Sequence, residues 1–334
     1  MRVFFFLSPF KFHAYLLHSL LTKTDEHMNS NRRRFMKDIL LTSAGLAFLP
    51  SFLKATESNQ NLFFRISLAE WSLHKALFGK KMDHLDFPVI AKQKFGIEGV
   101  EYVSTFFKST DETYLNELLK RTSDNGVTNV LMMIDGQGNL GDQDPAKRKK
   151  AVENHHRWVD AAKYLGCHSI RVNAYGTGSK KEVANAVVES LSSLTEYGAS
   201  QQIGIIVENH GGFSSNGKWL AGIMQRVNNP WCGTLPDFGN FCLEFKMGKC
   251  AKEYDRYQGV QEMMPFAKGV SAKTNDFTPE GEEVTIDYHR MLQIVKEAGY
   301  KNWIGIEYEG TRLSEEEGIL ATKKLLEKYG SMLS

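Results

Sequence analysis

The stretch IGIIVENHGG (residues 203–212) joins a short apolar run to an acidic residue and then to a pair of glycines. The same order recurs in WCGTLPDFGNF (231–241) and in WIGIEYEG (303–310). Short apolar runs that end in polar and glycine residues are typical of buried strands. In a (β/α)8 barrel the carboxyl ends of the strands form the active-site face. We therefore predict that three carboxylates meet on that face: Glu208, Asp237 and Glu307.

Eight strands of this kind are predicted after residue 58, and helical patterns separate them. They are Phe64–Ala69, Gly99–Val103, Val127–Ile134, Ser169–Val172, Ile203–Val207, Cys232–Leu235, Ala267–Ala272 and Trp303–Ile306. The segment 241–263 is expected to be an irregular helix. A doubly wound sheet that binds a dinucleotide needs G-x-G-x-x-G after its first strand, and this chain has no such motif there. The predicted fold class is therefore α/β, as a TIM barrel over residues 58–334.

The bulk composition is that of an ordinary globular protein, with 334 residues of which 42% are hydrophobic and 24% are charged. The 41 basic and 39 acidic residues leave a formal net charge of +2. A chain so close to neutral lacks the positive charge that is typical of nucleic-acid binding, so no nucleic-acid partner is predicted. No stretch after the N-terminal region is long and apolar enough to predict a stable membrane anchor.

The four cysteines lack the CxxC spacing that indicates a zinc or redox motif. Three of them, Cys232, Cys242 and Cys250, lie within a short stretch, so a disulfide is left open for an oxidising compartment. Buried free thiols are the favoured interpretation for all four, the fourth being Cys167.

The N-terminus carries a pattern typical of a twin-arginine export signal. Residues 31–37 read NRRRFMK, and the apolar run ILLTSAGLAFLP (39–50) follows. That run is too short to span a bilayer but suits the apolar part of a signal peptide. We predict a signal peptide over residues 28–57, an upstream extension from a misplaced start over residues 1–27, and export to the periplasm. An amphipathic helix with a basic cap is the alternative.

The strand ends VENHG, LPDFGN, VSAK and IGIEYEG together resemble the sugar phosphate isomerase/epimerase family of xylose isomerase-like TIM barrels, over about residues 60–330. The resemblance implies one divalent metal ion, most often Mn²⁺ or Mg²⁺, bound by Glu, Asp, His and Glu from strands 5 to 8. Glu208, Asp237 and Glu307 match three of these ligands, while Ser271 stands where the histidine is expected. Lys273 matches a lysine of the family.

The missing histidine leaves the nature of the cation site open. Three carboxylates and the Ser271 hydroxyl form an all-oxygen set, which favours Mg²⁺, Mn²⁺ or Ca²⁺ over Zn²⁺. His210 could supply a nitrogen ligand if its loop turns inward. Alternatively, the Lys273 ammonium partly replaces the cation and stabilises an enolate directly.

The resemblance and the strand-end positions also assign roles to other residues. Glu208 and Glu307 are the predicted acid–base pair, and Lys273 is the third catalytic candidate. Six further residues are predicted to bind substrate: Trp71, Glu101, Asn173, His210, Asn240 and Glu309. Glu70 is a further strand-end candidate of the same kind.

The predicted chemistry is removal of a proton next to a carbonyl, through an enediolate. We expect an isomerase or epimerase that acts on a small-molecule sugar or glycoside without phosphate, because an exported enzyme does not meet cytoplasmic sugar phosphates. A lyase or hydratase on a 3-keto-glycoside and a non-catalytic carbohydrate-binding barrel are the alternatives. An endonuclease of this fold would need a histidine-rich zinc site, which the strand ends do not offer. A homo-oligomer is left open.

Overall fold

The computed structural model describes residues 61–334. The predicted signal peptide and upstream extension lie outside the described residues. None of the helices within 61–334 combines the length and the apolar character needed to cross a membrane.

Ten strands lie within the described part of the chain. They are β1 (Arg65–Ala69), β2 (Gly99–Val103), β3 (Thr128–Met133), β4 (Ser169–Val172), β5 (Gly204–Glu208), β6 (Cys232–Leu235), β7 (Cys242–Lys246), β8 (Lys249–Glu253), β9 (Val270–Thr274) and β10 (Trp303–Tyr308). Eight of them form one parallel sheet in the order β6-β5-β4-β3-β2-β1-β10-β9. The remaining two, β7 and β8, form a separate antiparallel hairpin.

The two edges of the sheet meet and close it into a barrel. Parallel bridges join Thr234 to Ala267 and Asp237 to Ser271. Backbone bonds support the closure, since the Ser271 amide donates to the Pro236 carbonyl over 2.9 Å. The predicted TIM barrel is therefore confirmed, and Asp237 and Ser271 lie at the seam.

Helices cover the outside of the barrel. They are α1 (His74–Phe78), α2 (Phe87–Phe95), α3 (Glu112–Asp124), α4 (Pro145–Leu165), α5 (Lys180–Gln201), α6 (Gly217–Val227), α7 (Arg256–Met263), α8 (Tyr288–Glu297) and α9 (Glu315–Leu333). A capping box begins the last helix, with the Ser314 hydroxyl accepting from the Glu317 amide. One large apolar core lies between helices and strands, and a smaller one fills the barrel.

Two of the secondary-structure predictions are wrong. The segment 241–263 is the β7–β8 hairpin followed by α7, and not an irregular helix throughout. Met247 and Gly248 have positive φ values of 50° and 75°, which suits the tight turn of a hairpin. The seventh barrel strand begins at Val270 rather than at Ala267, because Ala267 makes only an isolated bridge.

A disulfide closes the hairpin. Cys242 and Cys250 are bonded, with their Cα atoms 5.6 Å apart. The favoured interpretation of four free thiols is therefore wrong for this pair, because the hairpin turn brings the two strands opposite each other. Cys167 and Cys232 are buried free thiols, as that interpretation held.

Candidate active site

The barrel brings together the three carboxylates predicted from the sequence. Glu208 ends β5, Asp237 follows β6, and Glu307 lies near the end of β10. Ligand atoms of all three lie within 4.8 Å of one another. Their side chains are almost entirely buried, with relative exposures of 1%, 0% and 4%. The cluster therefore lies at the carboxyl ends of the strands, where TIM barrels carry their active sites.

Strand β9 supplies the two residues between Asp237 and Glu307. The Ser271 hydroxyl lies 2.6 Å from Asp237 Oδ2 and 3.1 Å from Glu307 Oε2. The Lys273 ammonium lies 2.9 Å from Glu307 Oε1 and also 2.9 Å from Glu309 Oε2. Every side-chain oxygen of Glu307 thus has a partner on β9.

Glu208 is held differently, by groups from two other elements. Asn240 donates from Nδ2 to Glu208 Oε1 over 2.8 Å. Arg171 Nε lies 2.9 Å from Glu208 Oε2, but the contact lacks hydrogen-bond geometry. Glu208 Oε2 is therefore a buried carboxylate oxygen that receives no hydrogen bond from the described residues.

Arg171 is a site residue that sequence reasoning missed. It lies in β4, is buried, and also donates to Asp135 Oδ1 over 2.9 Å. Asn173, one of the predicted substrate-binding residues, donates to the same Asp135 oxygen over 2.7 Å. The available signal was an arginine within SIRV (169–172), a strand otherwise short and mostly apolar, two residues before Asn173.

Burial and charge act in opposite directions on the acids of the cluster. Burial raises the pKa of both Glu208 and Asp237 above the usual carboxyl range. The Arg171 and Lys273 charges limit the rise at Glu208, and the Lys273 charge limits it at Asp237. Burial alone would lower the pKa of Lys273, but the surrounding carboxylates, led by Glu307, outweigh it and raise that pKa well above its usual value. The ammonium of Lys273 is therefore a fixed positive charge within the cluster.

His210 pairs with Tyr175 instead of joining the carboxylates. The Tyr175 hydroxyl contacts His210 Nδ1, and His210 is not part of the group of potential metal ligands among the described residues. Burial, with the Arg171 and Lys273 charges, lowers the pKa of His210 and favours its neutral form. The His210–Tyr175 pair follows β5 and β4, beside the carboxylates.

The remaining predicted residues divide between the rim and the interior. Trp71 donates from Nε1 to Glu309 Oε1, so both belong to the rim. Glu101 lies inside the barrel, where it accepts a hydrogen bond of 2.6 Å from Ser67. Glu70 is buried with the His84 ring 2.7 Å away, which is a structural pairing and not an opening to substrate.

A large cavity lies at the other end of the barrel. It has a volume of about 760 Å³, and its lining includes His168, Trp231, Lys268 and Asn302, each of which precedes a strand. None of the predicted site residues lines it. The amino ends of the strands are the structural face of a TIM barrel, so we place the site at the carboxylate cluster.

The cluster fits a hard divalent cation. Oxygen ligands at 2.0–2.6 Å from Mg²⁺, Mn²⁺ or Ca²⁺ lie roughly 3 to 5 Å from one another. The ligand atoms of the three carboxylates lie within 4.8 Å of one another, which agrees with that range. Glu208 Oε2, which is buried and receives no hydrogen bond, would be free to coordinate such a cation. The Ser271 hydroxyl completes an oxygen-only set, in place of the histidine that a softer cation would favour.

A family model described as the xylose isomerase-like TIM barrel matches residues 90–329. The chain belongs to this family. The family match agrees with the resemblance drawn from the strand-end motifs.

One curated relative is similar to part of the chain. The chain is 24% identical over 177 residues to a Shigella dysenteriae serotype 1 protein with the provisional name L-ribulose-5-phosphate 3-epimerase UlaE. That match covers 48% of this chain and 57% of the relative, so it spans a little over half of the relative's length.

Solved structures share the fold at lower identity. The IOLI protein with a bound zinc atom is 15% identical, with a TM-score of 0.63, over 81% of this chain and 99% of that one. A xylose isomerase-like protein from Mycobacterium smegmatis in complex with magnesium is 14% identical, with a TM-score of 0.55, over 72% and 87%. The 3-keto-D-glucoside 4-epimerase YcjR from E. coli is also 14% identical, with a TM-score of 0.55, over 78% and 98%.

Proposed function

We propose that this protein isomerises or epimerises a non-phosphorylated sugar or sugar derivative by removing a proton next to a carbonyl. The observation that carries the proposal is the buried cluster of Glu208, Asp237 and Glu307, whose ligand atoms lie within 4.8 Å of one another beside the Lys273 ammonium. Such a cluster combines carboxylate bases with positive charge, and enediolate chemistry needs both.

The residues of the cluster have different roles in the proposed reaction. Glu208, Asp237 and Glu307 would hold a divalent cation, which when bound would polarise the substrate carbonyl and stabilise an enediolate. Glu208 is the favoured base, because burial raises the pKa of its carboxyl group and its Oε2 receives no hydrogen bond. Glu307 lies on β10 and is the candidate that returns the proton. Lys273 holds Glu307 and adds a permanent positive charge.

The charges around the site argue against a phosphate on the substrate. The two buried cations of the described site are already paired, Arg171 with Asp135 and Glu208, and Lys273 with Glu307 and Glu309. A phosphate group at this site would therefore face more negative charge from carboxylates than unpaired positive charge, and would be repelled. The predicted export signal supports a periplasmic location, where an enzyme does not meet cytoplasmic sugar phosphates. It therefore also supports a substrate without phosphate.

A lyase or hydratase on a 3-keto-glycoside is the second candidate, and the Tyr175–His210 contact favours it. The same enediolate can expel a substituent from the neighbouring carbon, provided that an acid protonates the leaving oxygen. Burial raises the pKa of Tyr175, so its hydroxyl stays protonated beside the carboxylates and could supply that proton, with the neutral His210 as its hydrogen-bonding partner. The products distinguish the two reactions, because only elimination yields the released alcohol.

Solvent exchange tests the proposal directly. Keto-sugars, aldo-sugars and 3-keto-glycosides are incubated with the protein in D₂O, with Mn²⁺ or Mg²⁺ added, and NMR follows deuterium at the carbon next to the carbonyl. We expect exchange, and we expect Glu208→Gln to slow it by roughly 10²-fold or more. Glu244→Gln, an exposed glutamate on the hairpin, is the matched control and should leave the rate unchanged.

A different outcome would support the non-catalytic alternative. The wild type could bind a sugar and yet catalyse no deuterium exchange, whichever cation is added. If Glu208→Gln then binds that sugar equally well, the enzyme proposal is wrong.

A further inference from the structure

Four aromatic side chains form a continuous wall on the rim beyond β1 and β2. The Trp71 ring stacks on His74 with centroids 4.9 Å apart and contacts Phe78 at 6.1 Å and Phe106 at 6.2 Å. Phe78 and Phe106 contact each other at 5.1 Å. We call Trp71, His74, Phe78 and Phe106 the aromatic wall.

The aromatic wall is joined to the carboxylate cluster at one end. Trp71 donates from Nε1 to Glu309, which in turn pairs with Lys273. Trp71 and Phe106 also pack on the apolar side chains that fill the barrel. Substrate that reaches the cluster from this side therefore passes over Trp71.

The other end of the wall faces solvent and borders a cavity. Phe78 is 57% exposed, although burying an aromatic side chain is favourable. A cavity of about 410 Å³ opens beside Phe106, and its polar lining includes Lys80 and the exposed ion pair of Lys108 with Asp83. An exposed aromatic face and hydrogen-bonding side chains thus lie side by side, outside the carboxylate cluster.

We propose that the aromatic wall and this cavity bind the second sugar ring of a glycoside whose first ring reacts at the carboxylates. A pyranose ring has one apolar face of C–H groups and a polar rim of hydroxyl groups. Phe78 and Phe106 match the apolar face, and Asp83, Lys80 and Lys108 match the hydroxyls. The inference rests on the proposed function and narrows its substrate class to glycosides of at least two rings.

A sugar fits this surface better than a protein partner does. Specific protein interfaces bury roughly 1,200 Å² or more around an apolar centre. Here the exposed apolar part is essentially one ring, Phe78, and it is flanked by the exposed lysines Lys75, Lys80 and Lys81. A small aromatic surface among charged side chains has the composition of a carbohydrate subsite.

The test compares one-ring and two-ring substrates. Deuterium exchange is measured as kcat/KM for methyl 3-keto-glucoside and for a 3-keto-disaccharide, with wild type, Phe78→Ala and Phe245→Ala. Phe245 is the matched control, since it is 66% exposed on the hairpin. We expect Phe78→Ala to lower kcat/KM for the disaccharide by roughly five- to tenfold and to change that for the methyl glycoside less than about twofold. Phe245→Ala should change neither.

Two results would overturn the inference: an equal loss for both substrates in Phe78→Ala, or no loss for the disaccharide. A binding measurement distinguishes failure of the subsite from failure of the proposed function. If the wild type exchanges no proton, saturation-transfer NMR with the same two sugars reports binding alone. If the wild type shows saturation transfer to the second ring and Phe78→Ala loses it, the subsite exists on a non-catalytic barrel. If the wild type shows no transfer to the second ring, the subsite is rejected.

Discussion

Ser271 occupies the position at which the family resemblance predicts a histidine, and its hydroxyl is already engaged by two carboxylates. A hydroxyl has one proton, so it can donate either to Asp237 or to Glu307 at a given moment. The second contact then needs a proton on the carboxyl group or a cation beside it. Ser271 therefore acts as a small neutral bridge between two acids.

Lys273 shows how a lysine can be buried without losing its charge. Its ammonium is 3% exposed and lies 2.9 Å from each of two carboxylates, those of Glu307 and Glu309. Removing an ion from water is costly, and paired opposite charges at this distance offset that cost. Replacing Lys273 with an apolar residue would leave two carboxylates uncompensated in the rim.

Glu101 leads to a prediction about stability and pH. Burial inside the barrel raises the pKa of its carboxyl group from 4.5 to about 8, while the bond from Ser67 opposes this rise. The folded state therefore holds a proton that the unfolded state loses, so the stabilisation is complete below pH 4.5 and is lost as the pH rises to about 8. Glu101→Gln should remove this loss and raise the free energy of unfolding by on the order of 4 kcal/mol at pH 8, with little change at pH 4.5.

Urea denaturation at several pH values measures this effect. Glu280→Gln, an exposed glutamate in a loop, is the control and should leave the pH dependence of the wild type intact. A Glu101→Gln variant with the same pH dependence as the wild type would contradict the assignment of the proton to Glu101.

The β7–β8 hairpin is the element that the sequence pattern described least well. Strands are recognised by apolar residues that alternate with polar ones when one face is buried. Almost every residue of this hairpin is exposed, so no face is selected and the alternation is absent. The Met247–Gly248 turn and the Cys242–Cys250 bond define the hairpin instead.

The disulfide should stabilise the protein mainly by restricting the unfolded chain. It closes a loop with a sequence separation of 8, for which chain entropy gives about 2.5 kcal/mol. We expect Cys242→Ser/Cys250→Ser to lower the free energy of unfolding by up to that amount under oxidising conditions. Reduced wild type should match the double variant, and hydrogen exchange should increase in residues 242–253 but not in the barrel strands. Increased exchange throughout the barrel would contradict this local role.

At the scale of the whole molecule, the sequence predicts the barrel and the strand ends but not the partners across the barrel. Each strand is a local apolar run with a turn after it, so its position can be read from the chain. The Trp71–Glu309 contact joins residues 238 positions apart, and the Glu208–Asn240 contact joins residues 32 apart. No spacing rule relates such pairs, because only closure of the barrel brings them together. Arg171 was missed for the same reason.

Cation binding to the closed barrel should appear as a gain in stability. A ligand that binds only the folded state stabilises it by about 2.7 kcal/mol at a concentration one hundred times its Kd. We expect Mn²⁺ or Mg²⁺ to raise the Tm of chelator-treated protein, and more strongly at pH 8 than at pH 6. Burial raises the pKa of Glu208 and Asp237, so that protons compete with the cation at lower pH.

Two variants separate this effect from non-specific binding of cations to an acidic surface. Glu208→Gln should abolish the rise in Tm, whereas the hairpin variant Glu244→Gln should retain it. Ser271→His should restore a nitrogen ligand and shift the preference toward Zn²⁺, because imidazole suits softer cations than a hydroxyl does. If no cation changes the Tm of the wild type while Ser271→His gains a response, the natural site relies on Lys273 rather than on a metal ion for its positive charge.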